Sequence, residues 1–274
     1  MKRTSVLLAL ACACSASFTP ASHVQGLRVL GIKAEPPEVA PGGATALTVL
    51  AVDTSGSAVE VSWLACTEPA LVGTGPINPA CFGTGTEPFL VPLGSGLSLQ
   101  ALLPAVVPSE FGPPDASGGL YLPVVLHASS ASGAVAAAYG LRLAQGGETP
   151  NQNPQLTGIF LVPSSGAPTP LDEATPLEVH AGDALTLEAE FSADSAETYA
   201  GAPGQPPTLT EILSASWFAT GGSFSEAVTG LPKPDTVWSA NQDLPPVGST
   251  IDLWVVGRDN RGGTDWLHRT LVLR

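Results

Sequence analysis

The second half of this chain retraces the first, and a duplication of that kind restricts the fold more than any single motif does. Pro36-Pro37-Glu38-Val39-Ala40-Pro41-Gly42 matches Pro176-Leu177-Glu178-Val179-His180-Ala181-Gly182 at an offset of 140. Leu47-Thr48-Val49 then parallels Leu185-Thr186-Leu187. Val59, Val61 and Trp63 alternate as Leu213, Ala215 and Trp217 do. Val124-Val125-Leu126 and Leu141-Arg142-Leu143 match Trp254-Val255-Val256 and Leu271-Val272-Leu273 at a shared offset of 130. Matches that recur in one order predict a repeated module, and 274 residues leave room for two ordinary domains, each with its own core.

The module reads as all-β. In Leu47 to Ala51, and again in Leu185 to Phe191, apolar residues fall on every second position, with Thr and Glu between them in the latter. That is the period of a half-buried antiparallel strand, and no long window carries a helical period. Gly (30) and Pro (27) are abundant while charged residues make up only 12%, as expected of many turns and few surface helices. About seven short strands per repeat, with a Trp in the third, predict two tandem immunoglobulin-like β-sandwiches. The polar stretch from Gln145 to Pro154 falls between the repeats and favours two domains over one barrel. The expected division is a signal peptide and tether over 1–22, a first module over 23–144, a linker over 145–155 and a second module over 156–274.

Met1, Lys2 and Arg3 followed by the apolar run Val6 to Ala13 read as a secretory signal, too short to span a bilayer permanently. Ala11 before Cys12 and Ala13 before Cys14 give a lipobox-like end, which makes either Cys an expected lipidation site. An ordinary cleaved signal, cut near Ala16 or Ala21, is the plainer alternative. Beyond this region Cys66 and Cys81 are the only cysteines, and in an oxidising compartment they are expected to form a disulfide. The net charge of −14 and the scarcity of Lys and Arg argue against nucleic acid as a partner and against electrostatic docking on anionic lipid. Membrane contact is expected through the lipid alone.

The lipobox-like start, the Leu27 to Gly43 opening, Trp217-Phe218-Ala219-Thr220-Gly221-Gly222 and Val255-Val256-Gly257-Arg258-Asp259-Asn260-Arg261-Gly262-Gly263 together resemble a group of secreted bacterial lipoproteins. These are frequent in myxobacterial-type proteomes and carry tandem immunoglobulin-like or PKD-like modules. The resemblance implies a fold and an envelope location, with outer-membrane anchoring, rather than an activity.

Chemistry is sparsely signalled. There is no Gly-x-Ser-x-Gly elbow, phosphate loop or dinucleotide fingerprint, and His23, His127, His180 and His268 are scattered, each expected to be solvated or at a strand edge. No catalytic set, cofactor or metal site is expected. Asp194, Glu197 and Asp259 could contribute to a calcium cage, and Trp238, Trp254 and Trp266 to a sugar-stacking platform, though a hairpin turn at Asp259 to Gly263 and Trp side chains in the core are the simpler readings. The leading expectation is a non-enzymatic spacer or interaction module, with an envelope protein or a glycan as partner; a carbohydrate-binding or calcium-dependent adhesive module is the alternative. The second repeat's connection from about Ser192 to Thr210 is longer than its counterpart, and long unstructured loops are uncommon unless functional or disordered. Its Asp194, Glu197 and Tyr199 should lie beside Arg258, Asp259, Asn260 and Arg261, which makes this end the expected binding loops.

Overall fold

The computed structural model describes residues 19–69, 77–83, 85–105, 114–144 and 149–274. Cys12, Cys14 and the rest of the leader through residue 18 lie outside the described residues, as do Gln145 to Glu148 of the expected linker.

The chain folds as all-β immunoglobulin-like sandwich. The first half contributes β1 (Leu27–Glu35), β2 (Glu38–Val39), β3 (Ala44–Asp53), β4 (Glu60–Cys66), β5 (Leu90–Ser95), β6 (Ser98–Leu102), β7 (Leu120–Ser130) and β8 (Gly133–Leu143). One sheet has the order β1-β3-β6 and the other β2-β8-β7-β4-β5. The second half contributes β9 (Leu156–Leu161), β10 (Thr169–Pro170), β11 (Leu177–Val179), β12 (Ala184–Phe191), β13 (Thr198–Tyr199), β14 (Leu209–Thr210), β15 (Ser214–Ala219), β16 (Ser223–Phe224), β17 (Val228–Gly230), β18 (Asp235–Ser239), β19 (Thr250–Arg258) and β20 (Thr264–Leu273). Its sheets run β10-β9-β12-β18-β16 and β11-β20-β19-β15-β17, with β13 and β14 paired apart from both.

The two halves share one topology. In each, a short strand runs parallel to the last strand: β2 on β8 pairs Val39 with Leu143, and β11 on β20 pairs Val179 with Leu273. These contacts join the residues that match at offsets of 140 and 130. Trp63 and Trp217 are fully buried in separate cores, and each indole N–H has an acceptor, Gly96 O at 2.8 Å and Thr229 Oγ1 at 3.0 Å. Burying such a ring with its N–H satisfied is what makes Trp suited to a sandwich core.

One repeat match is out of phase. Val124 and Leu126 point into the first core, whereas Trp254 and Val256, aligned with them in sequence, point away from the second core. There they meet Val24, Leu30, Leu50 and Val52 of the first half, together with Phe218 and Trp266. β19 is thus buried on both faces, so its apolar run cannot be phased by alternation. Trp254 and Trp266 are interface side chains, and Trp238 is core. The approach is close at Gly31, where an added Cβ would lie 3.3 Å from Val256 Cγ1. Residues before β1 also cross over: Val24 N donates to Ala219 O at 2.8 Å, and Ala219 N donates to Ser22 O at 2.9 Å.

Cys66 and Cys81 form a disulfide. It lies on the outer face of the five-stranded sheet of the first half, packed with Leu64, Leu90 and Val125, and it closes a separation of 15 residues. The chain-entropy account values such a closure at about 3 kcal/mol. Replacing both cysteines by Ala should lower the unfolding free energy by about that amount in urea titration; an unchanged midpoint would show that the bridge does not stabilise the fold.

Candidate functional site

The connection between β12 and β15 begins with a tight turn. Ser192 Oγ donates to Asp194 Oδ1 at 2.6 Å, and this bond holds the exposed Asp194 carboxyl below its usual range. The connection then forms the β13–β14 hairpin, so the segment expected to lack secondary structure carries two short strands. Tyr199 on β13 is buried, and its OH accepts from Asn260 Nδ2 at 3.3 Å. Asn260 Oδ1 in turn accepts from Ile212 N at 2.8 Å. The hairpin and the β19–β20 turn therefore do lie side by side, and Asp194 stands apart from their contacts.

Arg261 is the centre of this end. Its side chain is 1% exposed and its guanidinium lies 4.7 Å from the centroid of the Tyr199 ring. Nη1 is 3.3 Å from Glu211 Oε1 and 3.9 Å from Glu197 Oε2. Nη2 donates to Thr149 O at 2.7 Å and lies 3.5 Å from Glu38 Oε2, on β2 of the first half. The turn that aims it is built by Asp259, whose Oδ1 accepts from Arg261 N and Gly263 N, both at 2.8 Å. Gly263 is required there, since an added Cβ would sit 2.0 Å from Asp259 Oδ2.

Glu38 also belongs to a second guanidinium. Its Oε2 pairs with Arg142 Nη1 and accepts from Asn151 N at 2.9 Å. Arg142 is fully buried; its Nε donates to Asp115 Oδ2 at 3.0 Å and its Nη2 to Ser117 Oγ at 2.7 Å. A continuous path of charge, Asp115 to Arg142 to Glu38 to Arg261 to Glu211, thus runs from one sandwich to the other. Further polar contacts flank it. Gln152 N and Nε2 donate to Glu197 at 3.0 and 2.6 Å, Arg258 Nη2 donates to Leu30 O at 2.8 Å, and Tyr139 OH donates to Gly262 O at 2.7 Å. Lys33 Nζ lies 3.1 Å from Asp265 Oδ1.

Glu38, Asp115, Glu197, Glu211 and Asp259 are thus gathered about Arg142 and Arg261. Carboxylates outnumber guanidiniums, and the acids do not titrate alike. Burial works to raise Asp115, but hydrogen bonds from Ser117, Tyr121 and Arg142 outweigh it and hold the carboxyl down at about 2. Burial dominates at Glu211, and with Asp259 nearby it pushes that carboxyl up to about 7. Burial likewise raises Asp259, whose Oδ2 has no hydrogen-bond partner among the described residues. The arrangement can take up a proton near neutrality and can lock two sandwiches in one register. It leaves Tyr199, Arg258, Asp259 and Arg261 engaged within the chain.

Sequence reading missed the partners contributed by the first half, Glu38, Asp115 and Arg142. Arg142 was visible as a charge between two core leucines on a strand, which is the one signal that could have marked it. Two histidines also differ from expectation: His23 is buried, and His127 has a buried Nε2 without a partner among the described residues.

No family model matches the chain, and no curated protein matches it. Among solved structures it is similar to the three N-terminal domains of the bacteriophage RB49 highly immunogenic outer capsid protein, at 11% identity and a TM-score of 0.24, covering 91% of this chain and 70% of that one. It is also similar to β-glucuronidase from Parabacteroides merdae, at 7% identity and a TM-score of 0.22, covering 88% of this chain and 25% of that one. A third likeness is to dimeric latent PorU from Porphyromonas gingivalis, at 11% identity and a TM-score of 0.22, covering 91% and 24%. At these identities and TM-scores none of the likenesses bears on what this chain does.

A carboxyl whose folded pKa lies above its unfolded value opposes folding once it must ionise. For Glu211 the penalty is absent below pH 4.5, grows as pH rises toward 7, and reaches about 3 kcal/mol at most above it. Urea titrations across that window should show a shallower loss of stability with rising pH in Glu211→Gln than in the parent chain, and equal slopes would refute the assignment. Arg261→Met leaves buried carboxylates without their cation and should cost about 3–5 kcal/mol at pH 7, read in the same titration.

Proposed function

We propose that this chain is an exported, lipid-anchored bacterial envelope protein whose two immunoglobulin-like modules act together as one non-enzymatic interaction body. The joint carries this reading. An extended spacer needs modules that touch little, but here the loops at one end of the second sandwich are met by Glu38 of the first, which lies by Arg261, and by Asn151 and Gln152 of the linker. An apolar contact around Leu30, Trp254 and Val256 adds to it. At that end Glu197 and Glu211 lie beside Arg261, and Asp259 Oδ1 holds the turn through the N–H groups of Arg261 and Gly263. No helix among the described residues is long and apolar enough to cross a membrane, which suits attachment by lipid. The lipobox-like Cys12 and Cys14, and the resemblance to myxobacterial-type lipoproteins, favour the outer membrane as the site of anchoring.

Two measurements test the reading separately. Mass spectrometry of protein taken from its native membrane should find a diacylglyceryl group on Cys12 or Cys14; only an unmodified N-terminus beyond residue 14 would remove the anchor. Small-angle scattering should fit one side-by-side arrangement of the sandwiches, whereas a profile that needs an ensemble of hinged arrangements would remove the single body.

A further inference from the structure

An open groove of about 780 Å³ lies on the first sandwich, lined by residues that the joint does not use. Its floor is the outward face of β4, β7 and β8. Strand register sets Ser62, His127 and Ala136 in one row and Glu60, Ser129 and Ala134 in the next. The neighbouring row, Leu64, Val125 and Ala138, is covered by the apolar cluster around the disulfide. The groove therefore begins where the stapled segment stops covering the sheet. Short side chains keep the floor low, and Phe82, 43% exposed beside Cys81, forms a wall. Ser95 and Gly96 line it as well.

The lining chemistry narrows the occupant. Among the described residues Glu60 is the only carboxylate in the lining, and no Lys or Arg accompanies it. An anionic ligand would meet a carboxylate on a chain whose net charge is −14. A wholly apolar ligand would strip water from the hydroxyls of Ser62, Ser95 and Ser129 and return no hydrogen bonds, which is costly for each group. His127 stands in the same row as Ser62, and its Nε2 is buried away from the groove opening. What fits is a neutral ligand with a C–H face for Phe82 and several hydroxyls for the floor.

We propose that this groove binds a neutral saccharide, its ring face against Phe82 and its hydroxyls toward Ser62, Ser129 and Glu60. This deepens the interaction-body reading by giving it a ligand class. Its failure is distinguishable from failure of that reading, because neither the lipid anchor nor the scattering profile depends on the groove.

The test presents the full chain to an array of neutral gluco-, manno- and galacto-oligosaccharides, with sialylated and uronic-acid glycans as charged comparators. Ala136→Trp fills the floor from an exposed strand position, and Phe82→Ala removes the wall. The full chain should bind at least one neutral oligosaccharide and no acidic one. Both variants, checked for an unchanged unfolding midpoint, should weaken that binding at least tenfold. Absence of neutral binding at millimolar ligand, binding only of acidic glycans, or neutral binding that survives Ala136→Trp in a folded variant would each overturn the proposal.

Discussion

Glu38 is the residue on which the relation between the two sandwiches turns. Its carboxylate is 5% exposed and is shared by Arg142, which lies in its own half, and Arg261, which belongs to the other. A buried guanidinium is tolerable only with its charge matched and its donors occupied. Glu38 adds a shared acceptor to both: it pairs with Arg142 Nη1, which also has Asp115 nearby, and lies 3.5 Å from Arg261 Nη2, which also has Glu197 and Glu211 of its own end. The short parallel strand β2 places this carboxylate, since its register on β8 sets Glu38 directly opposite Arg142. A local feature of the immunoglobulin-like topology, the strand that crosses to pair with the last strand, has thereby become the support of a joint between halves.

The apolar part of the joint follows a different logic. Trp254, Val256, Phe218 and Trp266 present an apolar surface on the outer face of a sheet that would otherwise face water. Burial of such a surface is favourable but non-directional. It brings the sandwiches together without fixing how far one slides along the other. The ion pairs and backbone contacts, Arg258 to Leu30 O, Tyr139 to Gly262 O and Lys33 to Asp265, are directional and tie specific residues of one half to specific residues of the other.

The same two-sided burial explains what could be read from the sequence. Strands with one wet face, such as β3 and β12, alternate cleanly and were legible, as were the core Trp63 and Trp217 and the Cys66–Cys81 bridge. β19 was legible as a strand but not in its facing, because Leu253 to Val256 are apolar on both sides and the repeat alignment slipped by one position there. The neighbourhood of Tyr199 and Arg261 was legible from loop length, since a long connection between those strands must end near the β19–β20 turn. Its role was not. Glu38, Asp115 and Arg142 come from sequence positions more than a hundred residues from Arg261, and no local pattern marks two residues that meet only after both sandwiches have formed.

Charge at the joint also bears on why its acids differ in behaviour. Asp115 sits in a turn whose backbone N–H groups at Ser117 and Gly119 point at its carboxylate, at 2.9 and 2.8 Å, so the ionised form is solvated by fixed donors. Glu211 accepts a single backbone N–H, from Glu197 at 3.1 Å. It faces Asp259 and Glu197 as well as Arg261, and one guanidinium cannot neutralise three carboxylates. Like charges held close in a buried site do not all ionise together, and the excess is relieved by protonation. The contribution of Asp115 is complete above its ordinary value of 3.8 and is lost as pH falls toward 2, whereas the Glu211 penalty begins above 4.5 and grows toward 7, so these two groups together favour the joint most at about pH 4.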